Sequence, residues 1–125
     1  MMRVVLLIGL GSFIGGVSRY LLSQLIQNKA LAAFPYGTLT VNIIGCFLIG
    51  IVFGLNERSG LTDEWRLFLA TGLLGGFTTF SAFSYESISL IRDGQSGSAL
   101  IYIGGSIMLG LLATYGGMLA ISSQH

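Results

Sequence analysis

The chain has 125 residues, 53% hydrophobic and only 9% charged, with a net charge of +1 and a mean hydropathy of +0.82. A soluble domain carries about a quarter charged residues, so this composition cannot cover a water-facing surface, and the near-zero charge gives no footprint for nucleic acid. The single Cys46 excludes an intrachain disulfide and a cysteine metal cluster, and the single histidine, His125, argues against a histidine-based catalytic or zinc site.

Four long apolar runs predict an all-α integral membrane protein, one transmembrane domain over 1–125 with no soluble lobe. The expected helices cover about 4–26, 38–55, 65–91 and 99–121. The first run is too long for a signal peptide, and Arg19 interrupts the approach to the cleavage-like Ala30-Leu31-Ala32. Within it, Gly11 and Gly15 are four apart and permit close helix contact. Arg19 near its end has two readings. It snorkels to the interface, or it draws anions to a vestibule or ties a dimer together. A charge at the bilayer centre costs about 2.5–3.5 kcal/mol on insertion scales, which gives the second reading weight.

The first loop holds Lys29 and the only proline, Pro35. In the second helix, Thr38 and Asn42 share a face. Asn42 is the one amide deep inside a membrane segment, Gln24 lying near the end of the first: packing glue between helices, or an NH2 donor aimed at an anion. Gly50 and Gly54 repeat the close-packing spacing. In the second loop, Glu57, Arg58 and Asp63 read as a solvated connector, Thr62 as a helix cap and Trp65 as an interfacial anchor.

The third run carries the most informative stretch. Gly75-Gly76 followed by Phe77 and Thr78-Thr79 is poor helix material, so this crossing is expected to break at its centre. Non-helical backbone survives in a membrane only where protein buries it or where it lines a wet cavity. Beyond the break, Phe80 and Phe83 share a face, and Glu86 is the only acid inside an apolar run. It reaches the interface or a basic partner, or it stands in a vestibule and guides ions. In the fourth helix, Tyr102, Ser106, Gly110 and Thr114 fall on one face, as helix packing or as a pore-lining track.

Four crossings put both termini on one side, with Arg3, Arg58 and Arg66; the other side has Lys29, Arg92 and, near its edge, Arg19. Basic residues are almost balanced, so the positive-inside rule gives no orientation. A chain without orientation bias can insert both ways and pair with an inverted copy. Four short helices leave little room for a pore within one copy, which an interface between copies would supply.

The mid-depth inventory is neutral: Asn42, Thr78, Thr79, Ser81, Ser84, Ser106 and freed backbone. An ion stripped of water needs oriented dipoles in place of its shell. Hydroxyl and amide hydrogens suit an anion, as do phenylalanine ring edges, the positive end of the ring quadrupole. Free carbonyls at the break suit a cation such as Na+.

Taken in order, Gly15-Gly16-Val17-Ser18-Arg19-Tyr20, Gly37-Thr38-Leu39-Thr40-Val41-Asn42 and above all Gly75-Gly76-Phe77-Thr78-Thr79-Phe80-Ser81-Ala82-Phe83-Ser84-Tyr85-Glu86 resemble the Fluc/CrcB fluoride channels, over essentially the whole chain. The resemblance implies an antiparallel, dual-topology homodimer in the cell inner membrane, passing fluoride passively and selectively out of the cytoplasm. It implies that Asn42 donates to fluoride and that Phe80 and Phe83 present ring edges. Thr79 and Ser81 would neighbour the path, with Thr38, Tyr102 and Ser106 completing it. Arg19 and Glu86 would stand in the vestibules. Gly75 and Thr78 would hold a structural, non-transported Na+ by their carbonyls. Gly110 departs from a hydroxyl common in the family track, and Ala82 from a threonine.

Two other classes compete. A small dual-topology cation or drug exporter would need a buried acid early in the chain, and the first helix has none. A structural subunit of a larger assembly would carry no flux. An enzyme is the least supported class, because no nucleophile–base pair or metal cluster is present.

Overall fold

The structure is a computed structural model that describes residues 1–30 and 33–122. Leu31 and Ala32 of the cleavage-like triplet, and His125, lie outside the described residues. The chain is all helical: α1 (Met2–Ala30), α2 (Tyr36–Ser59), α3 (Asp63–Arg66) continued by a π-helical stretch (Leu67–Leu74), α4 (Gly75–Phe77), α5 (Phe80–Arg92) and α6 (Ser96–Ser122). Four spans, Met2–Ala30, Tyr36–Ser59, Asp63–Arg92 and Ser96–Ile121, are long and apolar enough to cross a bilayer. Several of the helix ends carry local caps. Thr62 Oγ1 accepts the Trp65 N–H at 3.2 Å, with Asp63 and Glu64 in the positive first turn. At the far end of α2, Gly60 takes φ 73°, and its N–H reaches the Asn56 carbonyl at 3.0 Å. Gly94 does the same after α5 at φ 80°, with Gln95 N–H donating to the Leu90 carbonyl at 2.8 Å.

The crossings associate as two pairs, each built on glycine. Without a hydrophobic force between helices in lipid, close van der Waals packing decides which ones meet. α1 packs on the first half of the third crossing: a Cβ on Gly11 would lie 2.7 Å from Leu73 N and 2.8 Å from the Phe68 carbonyl. Gly72 and Gly76 answer from the other side, where a Cβ on Gly76 would lie 2.6 Å from the Ser12 carbonyl. Gly11 and Gly15 therefore face Gly72 and Gly76 backbone to backbone. The π winding falls on this contact, and Ser12 Oγ donates to the Gly72 carbonyl at 3.4 Å. The second pair is α2 with α6, where Gly50 lies against the Thr114 backbone, Gly54 against Ile121 and Gly117 against Phe47. Arg58 closes that pair by donating to the Ile121 carbonyl at 3.4 Å, a cation at a helix C-terminus.

The two pairs meet at the interrupted third crossing. Thr78 (φ −93°, ψ 152°) and Thr79 (φ −146°, ψ 121°) are extended, so the helix stops after Phe77 and restarts at Phe80. Leu90, Ala99 and Tyr102 form the buried core between α5 and α6, with Phe34, Leu39 and Phe83 packed on it. Nearby, Gln27 clamps the first loop: its Nε2 donates to the Phe34 carbonyl at 2.9 Å and its Oε1 accepts the Gly37 N–H at 3.0 Å.

Candidate functional site

The break gathers most of the residues singled out above. Stopping a helix at Phe77 frees the carbonyls of its last turn, and restarting at Phe80 frees the amides of a new first turn. Several of these groups have partners. The Leu74 carbonyl accepts both the Thr78 N–H at 3.0 Å and the Thr78 hydroxyl at 2.9 Å. Arg19 Nε donates to the Gly76 carbonyl at 3.2 Å. Arg19 is thus half-buried beside the broken end, neutralising part of its negative dipole. Thr79 caps the second half by accepting the Ala82 N–H at 3.2 Å, and its hydroxyl shares a hydrogen with Ser81 Oγ at 3.2 Å.

Asn42 holds the extended residue from across the molecule. Its Nδ2 donates to the Thr79 carbonyl at 3.2 Å, and its Oδ1 accepts the Thr79 N–H at 3.0 Å. The side chain completes for Thr79 the backbone pairing that a strand neighbour would give. This is the packing role, and it leaves the donor role open, because one amide N–H of the two remains for another acceptor. Asn42 can reach the break because Gly45, one turn on, lies against the Thr78 methyl where any Cβ would collide.

A cavity of about 390 Å³ opens at this point. Asn42, Gly75, Thr78, Thr79, Phe80, Phe83 and Ser106 line it, with Gly45, Cys46, Ile49, Ala70, Leu74 and Ile107. Phe80 is 79% exposed and stands at the open side, while Phe83 is half-buried. Their rings lie 5.7 Å apart, with planes inclined at 46° to each other. Phe83 contacts Tyr102 at 5.2 Å, and Tyr102 meets Phe34 edge to face at 5.6 Å and 83°. The aromatic series therefore runs from the cavity into the core.

Beyond Phe83 lies a second polar group, separate from the cavity. Tyr102 is fully buried and its hydroxyl donates to Glu86 Oε1 at 3.3 Å; the hydroxyl of the buried Thr38 also bonds this carboxylate. Tyr102 thus spends its hydroxyl on Glu86, whereas Ser106, four residues on, faces the cavity. Gly110 is buried, with Cys46 Sγ 3.4 Å from where its Cβ would stand, so the fourth-helix track closes there by packing.

Three contributors were not legible as such. Ser12, Gln27 and Gly45 act through positions on neighbouring helices. Only Gly45 left a trace in the sequence, as a small residue three after Asn42.

Four apolar crossings, the third of them interrupted, with a largely apolar cavity at the interruption that Asn42, Thr78, Thr79 and Ser106 edge, define a small multi-pass membrane protein. Its polar equipment suits ions and not bond chemistry. Residues 6–118 match the family described as "CrcB-like protein, Camphor Resistance (CrcB)", and the chain belongs to that family. A protein of Thermus thermophilus named "Fluoride-specific ion channel FluC" is 48% identical over 110 residues, 88% of each chain. Proteins of the same name from Chlorobium phaeobacteroides (48% over 114 residues, 90% of this chain and 88% of the relative) and Rhizobium meliloti (46% over 118 residues, 94% of each) are similarly close.

Proposed function

We propose that this protein is a fluoride-selective passive channel of the cell inner membrane that releases cytoplasmic fluoride. The carrying observation is the Asn42–Thr79 clamp at the break, which presents a fixed amide donor and the start of α5 to one cavity. The first turn of α5 is the positive end of a 13-residue helix and favours an anion at Phe80 and Ser81. The remaining Asn42 N–H and the edges of Phe80 and Phe83 add neutral, weakly positive contacts. A small anion can exchange its water for these without becoming trapped. The Ser81, Thr79 and Ser106 hydroxyls rotate to donate along the way. Thr38, Tyr102 and Glu86 form a second polar group past Phe83, and Arg19 supplies positive potential beside the end of the first half-helix. No step makes or breaks a covalent bond, so the protein is not an enzyme.

Two finer readings go with this. The first is an antiparallel homodimer. An open-sided cavity with Phe80 exposed at its edge supports it. The second is a structural Na+ held by the Gly75 and Thr78 carbonyls. The residues fit such an ion: the C-terminal end of the first half-helix is its negative pole, and the exposed Gly75 leaves its backbone accessible. Among the described residues no three His, Cys, Asp or Glu side chains converge, so backbone carbonyls and threonine hydroxyls are the donors on offer at the break. Two carbonyls per chain are too few for a cation shell, and an inverted copy would double them. The ion would supply charge that fixes the assembly.

Fluoride efflux from liposomes containing purified protein, with chloride as control, tests the function. Fluoride-selective efflux is expected; no flux would leave the structural-subunit reading, and proton-coupled uptake of a lipophilic cation the exporter reading.

A further inference from the structure

A second cavity, of about 500 Å³, opens far from the break, where α1 begins and the third crossing starts. Leu7, Leu10, Trp65 and Phe68 form its apolar walls, and Arg3, Thr62 and Glu64 its rim. Trp65 and Phe68 meet edge to face, centroids 6.1 Å apart at 87°, which makes one wall a stiff aromatic corner. Arg3 and Glu64 pair across the mouth. Arg66 is already engaged by Asp63 at 3.0 Å. The mouth therefore offers one cation and one anion over an apolar floor. None of these residues belongs to the ion pathway.

We propose that this cavity holds an acyl chain of a glycerophospholipid with a zwitterionic, primary-amine headgroup, its phosphate at Arg3 and its ammonium at Glu64. The position is right: both spans end here, at the depth where tryptophan anchors and headgroups sit. The charge pattern selects among lipids. A net-anionic headgroup would satisfy Arg3 but face an unanswered Glu64. A quaternary ammonium would bring the charge but no N–H to donate to the carboxylate. A primary ammonium makes both charge-assisted bonds. The Arg3–Glu64 pair gives way easily, since exposed ion pairs contribute little.

Trp65 is the only tryptophan, so tryptophan fluorescence reports this wall of the cavity and the lipid beside it. Full-length protein in phosphatidylcholine vesicles would be titrated with brominated-chain phosphatidylethanolamine, phosphatidylcholine or phosphatidylglycerol. Half-quenching is expected at about threefold lower mole fraction for phosphatidylethanolamine, the size of one exposed charge pair. Glu64→Gln should bring that curve onto the phosphatidylcholine curve. Three coincident wild-type curves would mean ordinary annular contact and overturn the proposal. So would a preference for phosphatidylglycerol, or a phosphatidylethanolamine preference that survives Glu64→Gln.

Discussion

Asn42→Asp separates the two roles of this side chain with almost no change of shape. The acceptor arm survives: a carboxylate oxygen can still take the Thr79 N–H, now 3.0 Å from Oδ1. The donor arm is lost, and an oxygen stands where Nδ2 now meets the Thr79 carbonyl at 3.2 Å. One interhelical hydrogen bond in a membrane is worth about 0.6 kcal/mol on average. A carboxylate at mid-depth adds about 2.5–3.5 kcal/mol, so the variant is expected to be less stable than wild type and folding is checked beside flux. The transport cost is separate: a hydrogen bond to a charged group is worth about 1.5–3 kcal/mol. At about 1.4 kcal/mol per factor of ten, removing the N–H proposed to face the ion should slow fluoride flux by about 10- to 100-fold. The readout is efflux from proteoliposomes with a fluoride electrode, alongside size-exclusion elution as a check on folding. Asn42→Ala, which loses both arms, should be similarly slow and less stable. If Asn42→Asp folds and conducts within about twofold of wild type, the amide is packing alone and the donor role is wrong.

Phe80→Ile and Phe83→Ile should each reduce fluoride flux severely while the protein elutes as wild type; unaltered efflux in both would remove the ring edges from the path. Gly15→Val should lower the thermal midpoint of the purified protein or prevent folding, since a Cβ there would lie 2.9 Å from Phe77 N, whereas Gly9→Ala, with nothing within 4 Å, should be silent. Overpacking of this kind costs about 1–3 kcal/mol or more where backbone cannot yield, and equal midpoints for the two variants would refute the glycine contact. If the proposed dimer holds the proposed Na+, replacing Na+ on both sides by N-methylglucamine should weaken association or activity, measured by cross-linking and efflux; insensitivity of both would remove the proposed cation.

The class of this protein is written in its composition. With so few charges, burial in lipid is the only way to hide its apolar surface, and lipid allows only helices or closed barrels. The site of interruption is equally local: Thr78-Thr79 leave helical winding, the extended dihedrals falling on the two threonines, while Gly75-Gly76, expected to break the helix as well, stay helical in α4. Thr62 as a cap and the two close-packing glycine pairs are local signals of the same kind.

Partners across the molecule are another matter. Nothing adjacent to Asn42 names Thr79, 37 residues away, and nothing near Arg19 names the Gly76 carbonyl. Both are freed or extended backbone groups, identical in every residue, so no side-chain pattern marks them. The same holds for Tyr102, whose periodicity places it with Ser106 although its hydroxyl turns to Glu86 while Ser106 faces the cavity. Sequence alone therefore determined that the third crossing must break and roughly where. Only the tertiary structure decided which groups answer the opened backbone, because a hydrogen bond depends on which helices the glycines let approach.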